Sequence, residues 1–368
     1  MNVLHVDTER KWRGGEAQVF SLCRALADSA RFHPIVLTQP DSPLGRRLAE
    51  DGIETIHFPM RGEFDLRAVF RISRLCAERD IRLIHAHDAH AHSLAWLATM
   101  HRPAIPVLVT RRVDFPVGGN LFSNLKYRSR RIHFIAISNG VKKVLLDAGV
   151  PEARIDVVFS GVDRSRFSHV DDGSSFKKEY GVRENEIVIG NVAALTDHKG
   201  QKYLINAVPY VMGHYPEARF FIIGEGELLP VLKQLAKETG VEERVVFTGF
   251  LSDVGEAYAA MDLFVLSSHL EGLCTSLIDA MLMGVPVVAT RAGGVTDVIS
   301  HGECGLLVEP RNPQALAEAI VQMLKDGEMQ RRFSEAGRRR VMENFTVEKM
   351  AAGTVAVYEK ITGEIKNA

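Results

Sequence analysis

Cysteine is scarce in this 368-residue chain: Cys23, Cys76, Cys274 and Cys304 are the only four, far apart, with no CxxC pair among them. The count suits a reducing compartment better than a disulfide framework. Net charge is scarce too. A formal charge of −1 gives the chain as a whole no pull toward nucleic acid or a membrane surface. No apolar run approaches the roughly 20 residues of a spanning helix. The opening MNVLHVDTER lacks the apolar centre of a signal peptide. Short-period repeats and low-complexity tracts are absent. These absences predict a soluble, cytoplasmic protein that does not bind nucleic acid, with peripheral contact at the inner face of a membrane left open.

What is present is an alternation. At 46% hydrophobic residues the chain can bury a sizeable core, and its length favours two domains. Seven short β-branched runs occupy the first half: VLHV (3–6), PIVLT (34–38), ETIHF (54–58), RLIHAH (82–87), VLVT (107–110), FIAIS (134–138) and IDVVF (155–159). Six follow in the second half: EIVIGNV (186–192), RFFIIG (219–224), RVVFTGF (244–250), LFVLSS (263–268), PVVAT (286–290) and GLLVE (305–309). Many are apolar almost throughout, as strands buried on both faces of a parallel sheet are. Helical stretches such as EAQVFSLCRALADSA separate them. The pattern predicts an α/β protein of two doubly wound, Rossmann-like domains in tandem. The join is expected in the polar stretch FSGVDRSRFSHVDDGSSF, giving domains 1–165 and 166–345. Doubly wound sheets hold ligands beyond the carboxyl ends of their strands. If the two sheets face one another across a cleft, the strand-end loops there carry the function.

Five loops stand out. WRGGEAQVF (12–20) puts Gly14 and Gly15 at a helix start, where backbone N–H groups suit phosphate, although a plain glycine turn reads equally well. In LIHAHDAHAH (83–92), His85 and His87 share one face of a strand. With Asp88 or His90 they could hold a metal. The order H-x-H-D-x-H, however, differs from that of binuclear hydrolases, and a single strand-end imidazole bonding a ligand, or buried structural histidines, fits better. VTRRVDFPVGG (109–119) and SNLKYRSRR (123–131) interleave Arg111, Arg112, Lys126, Arg128, Arg130 and Arg131 with Phe115, Phe122 and Tyr127. This is either a contact for an anionic acceptor or lipid head group, or a solvated helix face. NVAALTDHKGQKYL (191–204) carries Lys199, placed to neutralise a diphosphate. EGLCTSLID (271–279) holds two acids, Glu271 and Asp279, around a helix start near Thr275 or Ser276. Ser276-x-x-Asp279 also reads as a relative of the capping box.

These loops resemble the family 4 glycosyltransferases, which use nucleotide sugars and have the GT-B fold. The resemblance spans nearly the whole chain and is most specific over 245–308, where VVFTGF, DLFVLSSHLEGLCTSLIDAMLMGVPVVATRAGG and GLLVE follow in the family's order. Lys199-Gly200, IGEGE (223–227), Gly14-Gly15, His87 and FIAISNGV (134–141) also match. The resemblance implies two Rossmann-like domains across a cleft, with a last helix (346–366) returning to the acceptor domain. It implies a retaining transfer, without a metal, from a nucleotide diphosphate sugar, a UDP-sugar foremost, to a hydroxyl of a glycan or glycolipid. The setting would be cell-surface polysaccharide, lipopolysaccharide or glycolipid synthesis. Catalytic roles fall to Glu271 and His87 at the sugar and Lys199 at the diphosphate. Gly14, Gly15, Gly272, Leu273, Cys274 and Thr275 would line the donor, Phe250 and Leu251 the base, and Asp279 the ribose. Arg111, Arg112 and Arg128 are the acceptor candidates. Two departures matter. Asp279 stands where the family has a second glutamate, and Ala194 stands where G-R-L-x-x-x-K-G has its phosphate-binding arginine. Arg111 or Arg112 is the expected stand-in. A GT-B nucleotide-sugar 2-epimerase and a non-catalytic sugar-nucleotide-binding protein are the alternatives.

Overall fold

All thirteen β-branched runs form strands. The computed structural model describes residues 1–29, 31–102, 104–118 and 121–363. The first seven strands are β1 (Asn2–Val6), β2 (His33–Thr38), β3 (Thr55–His57), β4 (Ile81–Ala86), β5 (Val107–Arg111), β6 (Ile132–Ala136) and β7 (Ile155–Val157). They make one parallel sheet in the order β3-β2-β1-β4-β5-β6-β7. The next six are β8 (Ile187–Val192), β9 (Ala218–Ile223), β10 (Val245–Gly249), β11 (Leu263–Leu266), β12 (Val287–Thr290) and β13 (Leu306–Val308). They make a second parallel sheet, β10-β9-β8-β11-β12-β13. Central strands such as β11 and β12 are buried at every residue, which is why they read as unbroken apolar runs. The edge strand β3 is three residues long and ends exposed at His57, which limits its use as a pairing template.

Each sheet has one place where the strand order reverses direction, and there the loops diverge to opposite sides and leave a crevice. In the first sheet this lies between β1 and β4; in the second it lies between β8 and β11. The loops after those four strands hold Gly14-Gly15, His87, Lys199 and Glu271.

The chain divides into two compact units. One comprises Met1–Gly161 with the segment that begins at Thr346; the other is Val162–Phe345. The boundary thus falls before Val162, not between 165 and 166 as composition suggests. Gly161 explains the sharpness of the change, because a Cβ there would sit 2.5 Å from the Thr346 carbonyl oxygen. The helix Val347–Thr362 packs Met350, Val357 and Tyr358 against Val3, Leu22, Phe32 and Leu83 of the first unit. Residues 364–366 of the helix expected from sequence, and Gly119 of the basic stretch, lie outside the described residues.

Candidate active site

In the second unit the loops after β8 and β11 are stitched together. The His269 N–H donates to the His198 carbonyl at 2.9 Å, and Ser267 Oγ donates to the Lys199 carbonyl at 3.1 Å. Gly200 closes the Lys199 turn at φ +66°, with its Cβ position 2.2 Å from the Ser267 carbonyl oxygen, so no side chain fits. This close approach sets Lys199 Nζ 2.6 Å from Glu271 Oε1. Ser268 Oγ donates to the same oxygen at 2.7 Å. Glu271 is buried, and a cation and a hydroxyl compensate its charge.

The helix Thr275–Leu282 begins four residues after Glu271, preceded by half-buried Gly272 and buried Leu273 and Cys274. Burial, then the Glu271 charge, pushes the Cys274 thiol up to about 11, so it is no nucleophile at neutral pH. No side chain caps this helix. The capping-box expectation for Ser276 and Asp279 is therefore overturned. With Thr275 as the first helical residue, Asp279 is the fifth, one turn too far in to reach the terminal N–H groups. Asp279 is instead buried, with Oδ2 3.4 Å from an Arg166 guanidinium and Oδ1 without a hydrogen-bond partner among the described residues. Burial pushes its carboxyl up to about 6, against the pull of Arg166. Arg166 lies 113 residues away in sequence and no spacing signalled it. Phe167 beside it packs on Tyr258, whose hydroxyl donates to the Ser276 carbonyl at 3.1 Å, tying that turn to the helix start. Phe250, at the end of β10, is 64% exposed, and Leu251 is half-buried. Ala194 is exposed.

In the first unit the helix starts at Gly14, two residues before the expected Glu16. Glu16 reaches back to the Arg13 N–H at 2.7 Å. Arg112 lies under this turn, its Cδ 3.6 Å from where a Gly15 Cβ would be. Burial pushes its guanidinium down to about 10, opposed by the nearby Asp7 and Glu16 charges. Arg111 is engaged elsewhere, donating to the Tyr127 hydroxyl at 2.8 Å and to the Phe115 carbonyl. Arg128 is exposed and precedes β6, at the opposite end of the sheet from His87 and Gly15, where it lies over Gly149. It does not share a site with the other acceptor candidates. Lys126 is also no surface charge, since it is buried with Nζ 2.7 Å from Ser93 Oγ and 3.4 Å from Glu63.

His87 is buried at the end of β4, and the partner that the sequence reading missed is His5. Parallel pairing sets His5 beside His85, and His5 Nδ1 lies 3.0 Å from His87 Nε2. His85 is held at 2.7 Å by both the Tyr358 hydroxyl and Thr110 Oγ1. Burial pushes His5 down to about 3 and His85 and His87 well below the usual imidazole range, so all three are neutral. His5, His85 and His87 bring ring nitrogens within 4.8 Å of one another. Asp88 and His90, the metal partners considered from sequence, are not part of this group. Asp88 accepts from the His90 and Ala91 N–H groups as a helix cap, and from Thr8.

The second unit thus holds two buried carboxylates able to accept from hydroxyls, each facing one cation, around an uncapped helix start suited to an anion. The family model described as Glycosyl transferases group 1 matches residues 173–340, and Glycosyltransferase Family 4 matches 12–166. The chain is 28% identical over 311 residues to N-acetyl-alpha-D-glucosaminyl L-malate synthase of Bacillus anthracis, covering 83% of this chain and 81% of that protein. It is 28% identical over 351 residues to a GDP-mannose-dependent alpha-(1-6)-phosphatidylinositol monomannoside mannosyltransferase of Mycolicibacterium smegmatis, covering 91% and 85%. Among solved structures, a glycosyltransferase from Rickettsia africae superposes with a TM-score of 0.87 at 20% identity, over 100% and 99% of the two chains. Anabaena Alr3699/HepE in complex with UDP and glucose gives 0.84 at 23%, over 98% and 100%. At those identities the likeness speaks for the fold, which is GT-B.

Proposed function

Because the chain belongs to the family 4 glycosyltransferases, we propose that it is a retaining enzyme that transfers a sugar from a nucleotide diphosphate sugar to a hydroxyl acceptor in cell-surface polysaccharide, lipopolysaccharide or glycolipid synthesis. The observation that carries this reading is the Lys199–Glu271–Ser268 cluster beside an uncapped helix start. Lys199 and the N–H groups at Thr275 would stabilise charge on the leaving diphosphate, which needs no metal. Glu271 would bond hydroxyls of the transferred sugar, Asp279 the ribose, and Phe250 with Leu251 the base. Gly14, Gly15 and His87, on strand-end loops of the first unit, remain that unit's candidates for contact with a sugar nucleotide. Of the two arginines considered for the missing cation, Arg111 is engaged by Tyr127 and Phe115, whereas Arg112 lies beside Gly15. A UDP-sugar is the favoured donor, in keeping with the UDP-glucose complex of the Anabaena protein, while GDP-mannose is named for the mycobacterial relative.

The test is a thermal-shift screen over UDP-, GDP- and ADP-sugars, followed by an acceptor panel on the donor that stabilises most. A shift with a UDP-sugar and turnover unaffected by EDTA are expected. No shift with any donor would remove the reading. An isomerised donor in the absence of acceptor would replace it with an epimerase.

A further inference from the structure

The turn that carries Arg166 is fixed more firmly than a surface turn needs to be. Asp163 caps it, accepting from the Ser165 N–H at 2.9 Å and from Ser165 Oγ at 2.7 Å. Phe167 is buried and meets the Tyr258 ring edge-on at 6.0 Å. His169 pairs with Asp253 at 2.9 Å, and the Asp171 N–H donates to Glu256 at 3.0 Å. Gly255 lets the two segments approach, since a Cβ there would overlap Val170 and lie 3.5 Å from Phe167. Residues 167–171 are thus pinned to residues 253–258, and the Tyr258 hydroxyl ties the latter to the Ser276 carbonyl, at the start of the helix that bears Asp279.

Arg166 itself is left open. Its side chain is 51% exposed, with the guanidinium over the Phe167 ring at 5.1 Å. Among the described residues its hydrogen-bond partner is Asp279 Oδ2, 3.4 Å from Nη1. A guanidinium presents five N–H donors in a planar fork, so most of them remain available. On the other side of the same carboxylate, Oδ1 is buried and has no partner among the described residues. A buried acceptor left unpaired is costly, and what it lacks is an O–H or N–H donor. An acceptor in want of a donor thus stands beside a donor in want of an acceptor. A lone anion would meet the Asp279 charge, and a lone cation the Arg166 charge. Two adjacent hydroxyls suit both, because a hydroxyl donates and accepts: one can donate to Oδ1 while its neighbour accepts from Arg166.

We propose that Arg166 is a specificity-determining residue of the nucleotide site, reading the vicinal hydroxyls of the donor's ribose jointly with Asp279. The proposal rests on the reading of Asp279 as the ribose contact. It adds a second recognition group from outside the EGLCTSLID stretch, and it makes the choice of ribose over deoxyribose a property of the pair. Sites that hydrogen-bond a hydroxyl reject the analogue that lacks it, because their own polar groups are then left unpaired. Arg166 also extends the reach of an acid that is one methylene shorter than glutamate.

The experiment is calorimetric titration of the full chain at pH 8, where Asp279 is ionised, with UDP and GDP and with the 2′-deoxy and 3′-deoxy form of each. Wild type should bind one of the two ribonucleotides at least about tenfold more tightly than either of its deoxy forms. Arg166→Leu should weaken that ribonucleotide by about tenfold yet leave one deoxy form bound as in wild type, because the hydroxyl that Arg166 contacts is already missing from it. Arg166→Lys, which keeps a donor, should restore part of the discrimination. A merely structural role would weaken every form by the same factor and lower the melting temperature. That result would overturn the proposal and leave the transferase reading standing, as would discrimination that Arg166→Leu leaves unchanged, or a wild type that binds ribose and deoxyribose forms alike. Binding of neither ribonucleotide by wild type would remove the transferase reading and this proposal with it.

Discussion

At the scale of the residue, the two buried acids of the EGLCTSLID stretch, Glu271 and Asp279, should behave differently. Glu271 already has a cation and a hydroxyl on one oxygen, so Glu271→Gln removes charge without removing volume. We expect turnover to fall by at least about a hundredfold while the donor-induced thermal shift changes little. Lys199→Ala should lower both, because it would remove the cation proposed for the diphosphate and would take the close cation from buried Glu271. Equal steady-state rates in wild type and either variant would refute these roles. Asp279 carries a pH signature. Its folded carboxyl titrates near 6, above the ordinary 3.8, so the fold favours the protonated form. As pH rises from about 4 to 6 the unfolded chain loses its proton first and stability declines; above 6 the deficit is constant, with a ceiling of about 3 kcal/mol. Asp279→Asn should therefore melt higher than wild type at pH 8, with the difference vanishing by about pH 4, while its donor affinity drops. Parallel melting curves across that range would show that burial costs this carboxylate nothing.

At the scale of the element, legibility followed how local each cause was. The thirteen strands were readable because a strand buried on both faces must be apolar along its whole length, a property of consecutive residues. The Lys199 turn and the EGLCTSLID loop were readable through resemblance, and strand order then placed both at the point where the second sheet reverses. What stayed hidden is what pairing creates. His5 meets His87 only because β1 lies beside β4, although they are 82 positions apart in the chain. Arg166 meets Asp279 across a similar gap. The opposite error came from treating neighbours in sequence as neighbours in space: Arg128 follows Arg112 by 16 positions, yet the helix Leu121–Arg128 carries it back to the amino end of the sheet. The Gly200 turn supplies an element-scale prediction. A Cβ cannot fit against the Ser267 carbonyl, so Gly200→Ala should lower the melting temperature and also reduce turnover, by moving Lys199 off Glu271. A variant that melts lower yet keeps its rate would separate the turn from the chemistry.

At the scale of the whole molecule, the first unit takes one helix from beyond the second. Tyr358 is fully buried among Phe32 and the histidines of β1 and β4, and its hydroxyl holds His85. Tyr358→Phe removes that bond but keeps the ring, and should cost about 1 kcal/mol in denaturant unfolding with the fold retained. An unchanged midpoint would mean that Thr110 alone fixes the imidazole. The same arrangement sets an order of events during synthesis. The second unit is one unbroken stretch, Val162–Phe345, and all its strands have been made before Thr346 is reached. The first unit begins the chain, yet a face of its core stays open to water until Met350, Val357 and Tyr358 emerge. Nascent chains halted near residue 345 should therefore resist protease over the second unit before the first. That outcome would reverse folding order relative to translation order, and for most of its synthesis the half made first would be the half that needs shelter from aggregation.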